Sequence, residues 1–191
     1  MSETPSKDIE TPNTFSPNDL QAPSERKPDI SKVVYTHVST LHGLIKEWKR
    51  IIVKGCKICY AISLINIQEV QEDDYPEELG HLTQTLLEIT NGLKHVSENV
   101  ETIKNQLEAI SKLLPGNEPV IMSWPASMIF KYVCEISTSL RREYELKLCI
   151  TENIAHCRDE KVAEIYVSAW EFAIYFNTNA TEFLFAEMNL S

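Results

Sequence analysis

The chain has 191 residues, a formal net charge of −10 and a pI near 5.0. That is enough for one domain plus a tail, and the wrong sign for a globally basic nucleic-acid binder. Its 5 glycines stand singly, so neither a dinucleotide-binding fingerprint nor a P-loop can be formed and no glycine-rich phosphate cradle is present.

The opening "MSETPSKDIETP" lacks the apolar core of a signal peptide. Every apolar run is broken by charge before the roughly 20 residues that cross a bilayer. With 5 cysteines and no secretory signal, reduced thiols in cytosol or nucleus are expected. Residues 1–28 are rich in Pro, Ser, Thr and Asp and poor in large apolar side chains. Such a composition cannot bury enough surface to offset its ordering entropy, so a disordered tail is expected. Thr4, Thr11 and Ser16 each precede proline. They are candidate sites for a proline-directed kinase, or simply turn-forming dipeptides.

The folded part is expected to be all-α: a long antiparallel coiled-coil hairpin over 29–114, a loop over 115–124, and a C-terminal helical pair within 125–191. Asp29 can cap the first helix. From Ile30, the residues Val34, Val38, Leu41, Ile45, Trp48, Ile52, Cys59 and Ile62 recur at helical spacing, which predicts a helix to about Gln68 with Gly43 and Gly55 as weak points. "QEVQEDDYPEE" breaks the pattern, and Pro76 suits the next helix start. In the second helix Leu79, Leu82, Leu86, Ile89, Leu93, Val96, Val100, Ile103, Leu107, Ile110 and Leu114 alternate steps of three and four throughout. Such a narrow aliphatic seam demands one or two covering helices. Leu93 and Val100, at its centre, are candidate partner-binding positions if the cover comes from another chain. Folding the hairpin about residue 73 sets the basic stripe Lys46, Arg50, Lys54 and Lys57 near Glu98 and Glu101. That stripe is either one side of an interhelical charge seam or a patch for DNA or an acidic peptide.

Pro115 and Gly116 stop the seam. In "PVIMSWPASMIFKYV" Ser123 can cap a new helix and Pro125 suits its first turn, with Trp124 folding back on a neighbour. Ile129, Val133, Ile136, Leu140, Tyr144, Leu148 and Ile154 carry the third helix to about Ala155. Asp159 caps a fourth that uses Val162, Ile165, Ala169 and Trp170, and a break at 177–179 precedes a short apolar last turn or two. Trp124, Pro125, Tyr144 and Trp170 are candidates for framing a partner-binding head, or are plain core.

Chemistry finds little support. Cys56 and Cys59 form one C-x-x-C, but a structural zinc site wants four ligands and a redox pair wants a strand-to-helix context. Cys134, Cys149 and Cys157 supply no second close pair, the 5 histidines form no H-E-x-x-H, and no nucleophile–base set can be assembled. No catalytic residue, metal ligand or cofactor is assigned.

"IMSWPASMIFKYVCEI", "LRREYELKLCITENIAH" and "YVSAWEFAIY", with "LHGLIKEWKRIIVKG" upstream, resemble the corresponding stretches of the cyclin-dependent kinase 2-interacting protein family. The tail departs from that family's basic start, which only Arg26-Lys27-Pro28 echoes. The resemblance implies a non-enzymatic nuclear adaptor, and the reduced thiols are compatible with the cytoplasm as well. It would act in DNA replication, damage response and repair, linking a cyclin-dependent kinase and an origin-firing kinase to the partner protein of a checkpoint kinase. It would also be a small subunit of a chromatin-associated AAA+ ATPase assembly, beside a second small coiled-coil subunit, in replisome turnover and ribosome maturation. Direct contact with nucleic acid or membrane is not expected. The alternative is a self-associating coiled-coil scaffold or tether.

Overall fold

A computed structural model describes residues 29–65 and 76–190. The candidate phosphorylation sites Thr4, Thr11 and Ser16 and the expected helix end at Gln68 lie outside them. Five α-helices are described: α1 (Ile30–Leu64), α2 (Glu77–Leu113), α3 (Ala126–Asn153), α4 (Glu160–Glu171) and α5 (Thr178–Glu187). No strand occurs among the described residues, and a single 3₁₀ turn, Ile154–His156, follows α3.

The α1 stripe is buried at Val34, Val38, Leu41, Ile45, Trp48, Ile51, Cys59 and Ile62, whereas Ile52 is only half-buried. Ile51 meets the backbone of Gly92 on α2. The midpoint of 51 and 92 lies at about 72, so the hairpin has nearly the register that the sequence suggests. Asp29 occupies the N-cap position of α1, but its side chain makes no cap bond and pairs with Lys32 instead.

The α2 seam is covered within the chain. α1 and α3 both pack against α2. Leu93 and Val100 are both 0% exposed. α3 runs antiparallel to α2. The Thr90 and Thr151 hydroxyls share a buried 2.7 Å hydrogen bond, and Ser137 donates to Glu101 across 2.8 Å farther along. The α1–α2 hairpin and the C-terminal helices therefore pack together as one bundle. Each fully buried Val, Leu or Ile contributes about 1.5–3 kcal/mol before conformational entropy is charged against it.

The interhelical charge seam is not formed by the acids expected to build it. Glu98 pairs with Lys94 and His95 within α2. Glu101 pairs with Lys104 and takes the Ser137 hydroxyl, and these two hydrogen bonds, Lys104 first, hold its carboxyl below the usual range.

α4 lies antiparallel along the second half of α1. The Asp159 side chain caps it by accepting from the amides of Lys161 and Val162, as the sequence implies. Trp170, at its far end, is fully buried and donates from Nε1 to the Ile52 carbonyl at 3.1 Å. A Cβ on Gly55 would stand 2.2 Å from Trp170 Cζ2. Gly55 is thus the floor of the indole's seat and not a weak point. Ile165, expected on the buried stripe, faces outward, because Ala163 and Trp170 fix the contact face of α4.

Candidate interaction surface

The third helix continues the three-four repeat further than its apolar residues do. Ile129, Val133, Ile136 and Leu140 are followed on the same seam by Glu143 and Lys147, then by Ile150 and Ile154, and all eight are buried. Tyr144 and Leu148, expected on the stripe, sit one position off it and are half-buried. Both charged side chains are 0% exposed.

Their burial is matched by complete pairing. Lys147 Nζ donates to Glu143 Oε1 at 2.6 Å, to the Ala169 carbonyl at 2.6 Å and to the Phe172 carbonyl at 3.1 Å. An ammonium group has three donors, and all three are used. Two of them close the last turn of α4, where orphan carbonyls and the helix dipole favour a cation. Burial pulls the Lys147 pKa below its ordinary value, opposed by the hydrogen bond to Glu143. Glu143 turns its other oxygen outward along the chain and accepts the Tyr175 amide at 2.7 Å. One ion pair therefore fixes both the end of α4 and the segment that follows it.

That segment is apolar and faces outward. Phe172 is 63% exposed and Ile174 58%, with Tyr175 beside them and Ile165 two turns earlier on α4. Ile165, Phe172 and Ile174 line one shallow depression with Ser168 and Ala169. Tyr175 borders a second one on α3, with Phe130, Cys134 and Arg142. Asn177 then starts α5, its side chain accepting the Ala180 amide. Exposed aromatic and aliphatic side chains on a clamped backbone are what a docking surface needs, since little order has to be gained on binding.

The "IMSWP" stretch builds a different device. Ile121 to Trp124 form a tight turn, with Met122 at φ 41°. The amides of Ser123 and Trp124 and the Ser123 hydroxyl all donate to Glu187 Oε1, at 2.6, 3.1 and 2.9 Å. Ser123 therefore does not cap α3. Pro125 holds the N-cap position and the helix begins at Ala126. Trp124 stacks on Tyr132 with ring centroids 4.7 Å apart, and Tyr132 meets Phe183 edge-on. The turn thereby seats α5, whose Phe185 also contacts His42 on α1.

Chemical sites are not gathered. Cys59 is buried in the core, and burial pushes its thiol up to about 12; burial also raises that of Cys56. Among the described residues no three His, Cys, Asp or Glu side chains stand together as metal ligands. No described helix is long and apolar enough to cross a membrane.

No family model matches the chain. It is 22% identical to the cyclin-dependent kinase 2-interacting protein of Mus musculus over 81% of this chain and 87% of that one. It is equally similar to the Homo sapiens protein over the same shares, and to the Bos taurus protein over 76% and 82%. All carry one name, and the match runs through most of both chains. The chain is a distant relative of the cyclin-dependent kinase 2-interacting proteins.

The candidate residues named from the sequence are spread over the bundle. Trp124 and Pro125 lie at the α3 start, near the α5 end. Trp170 is sealed between α4 and α1. Tyr144 sits in the α2–α3 groove beside Lys94, Ser97 and Glu98. Leu93 and Val100 are internal. Sequence reasoning missed Glu143, Lys147, Phe172 and Ile174. For the first two a signal existed: extending the three-four step past Leu140 lands on 143, 147 and 150.

Proposed function

We propose that this chain is a non-enzymatic adaptor that docks a partner protein through Phe172, Ile174 and Tyr175. The observation that carries the reading is the buried Glu143–Lys147 pair, which holds three outward-facing apolar side chains on a fixed backbone. The relatives' name supports a cyclin-dependent kinase as the partner class. The wider reading rests on the family resemblance: a nuclear protein of DNA replication and genome maintenance, linked to an origin-firing kinase and checkpoint signalling, and a small subunit of an AAA+ ATPase assembly with a second coiled-coil subunit, in replisome turnover and ribosome maturation. A self-associating rod is less favoured, because the seam it would use already has its cover inside one chain.

The direct test is capture of cyclin-dependent kinase 2 by the purified chain and by a Phe172→Asp/Ile174→Asp variant. The expected result is binding by the first and loss of about tenfold or more in the second, as for truncation at an interface centre, with melting temperature unchanged. Equal capture by both chains would move the contact elsewhere, and no capture by either would remove the kinase. Turnover intrinsic to the purified chain would remove the adaptor reading.

A further inference from the structure

Glu98 and Glu101, the acids that the sequence sets opposite the basic stripe of α1, are engaged on α2 and α3. Between 46 and 57 lie five cations, Lys46, Lys49, Arg50, Lys54 and Lys57, against one acid, Glu47, in a chain whose net charge is −10. Glu47 is held by Arg50 at 2.6 Å. All five cations are exposed.

Apolar side chains are interleaved on the same face. Lys46, Arg50, Val53, Lys57, Tyr60 and Leu64 follow one another by steps of four and three, which places them along one line of the helix. Val53 is 59% exposed, Tyr60 57% and Leu64 65%. At 1.5 Å per residue the line is about 27 Å long, or five turns. Three large exposed apolar groups thus share one line with three cations. We propose that this face binds an acidic amphipathic helix of a partner protein, its apolar stripe on Val53, Tyr60 and Leu64 and its carboxylates against the flanking lysines.

Charge complementarity selects this occupant. A positive field on an otherwise acidic body steers an acidic segment to one face and repels it from the rest. A nucleic-acid backbone would meet the same lysines, but it has nothing to place on Val53 and Leu64, and the chain's overall charge opposes it. The apolar-anchor geometry is the helix-in-groove mode, with contacts at three- and four-residue steps. This face is distinct from that of Phe172 and Ile174, so the inference stands apart from the kinase reading.

The probe is a fluorescein-labelled 21-residue peptide with Leu at alternating steps of three and four and Glu on the flanks. Its binding to the full chain is read by fluorescence anisotropy at several salt concentrations. Expected are saturable binding that weakens with salt, and losses of about tenfold for Lys54→Glu/Lys57→Glu and about fivefold for Val53→Ala/Tyr60→Ala, on the scale of hot-spot and charge-pair truncations. Phe172→Asp/Ile174→Asp should leave this binding unchanged. The proposal is overturned if the peptide does not bind, if a scrambled peptide of the same composition binds equally, or if a DNA duplex binds more tightly. Because the substituted residues are all exposed, an unchanged melting temperature separates lost binding from lost fold.

Discussion

α2 and α3 lie side by side and carry the same three-four repeat, yet they fill it with different chemistry. On α2 the seam is aliphatic from Leu79 to Ile110, and its contacts depend on shape and volume alone. On α3 the repeat breaks off its apolar residues at Leu140 and admits Glu143 and Lys147 before resuming at Ile150. An aliphatic seam is stabilising and tolerant of small shifts in its cover. A buried ion pair contributes little net stability once desolvation is counted. It does, however, name its neighbours: only one placement of α4 and the residues after it brings two carbonyls to Lys147 and one amide to Glu143. The chain uses aliphatic residues to hold its bundle together and charged ones to decide where its exposed loop sits.

The contrast can be broken most forcefully at Lys147. Lys147→Met leaves Glu143 buried without its cation and should cost about 3–5 kcal/mol in denaturant unfolding. Replacing both, as Glu143→Leu/Lys147→Met, should recover most of that stability while the Tyr175 amide exchanges faster with solvent and kinase capture falls. If the double variant were as unstable as the single one, the pair would not be acting as a unit. Leu93→Ala probes the aliphatic side of the comparison. A loss of about 2–5 kcal/mol is expected from the lost contacts and the cavity, with kinase capture intact at temperatures where the bundle is folded. Selective loosening of 172–175 in that variant would erase the distinction between the two seams. The finest probe is Thr90→Val, which removes one hydroxyl of the Thr90–Thr151 bond between α2 and α3. Since Thr151 keeps its bond to the Lys147 carbonyl, the expected cost is only about 1 kcal/mol.

The amino-acid order by itself determined that the chain is helical, where α2 runs, which residues line it and that Asp159 starts α4. Each of these rests on periodicity or on a side chain reaching an amide two or three residues away, and both are local. It also carried the likeness to the kinase-interacting family. What covers the α2 seam was decided only in three dimensions, because an aliphatic stripe accepts any apolar face of suitable shape. The seat of Trp170 on Gly55 and the Ile52 carbonyl joins residues more than a hundred positions apart. Ser123 looks like a helix cap until Glu187, 64 positions on, takes its amide and hydroxyl. The three-four step of α3 puts Glu143 and Lys147 on its buried seam, but their charge reads as that of a surface pair. Only the approach of α4, with unbonded carbonyls at its last turn, makes the interior a place where that charge can remain.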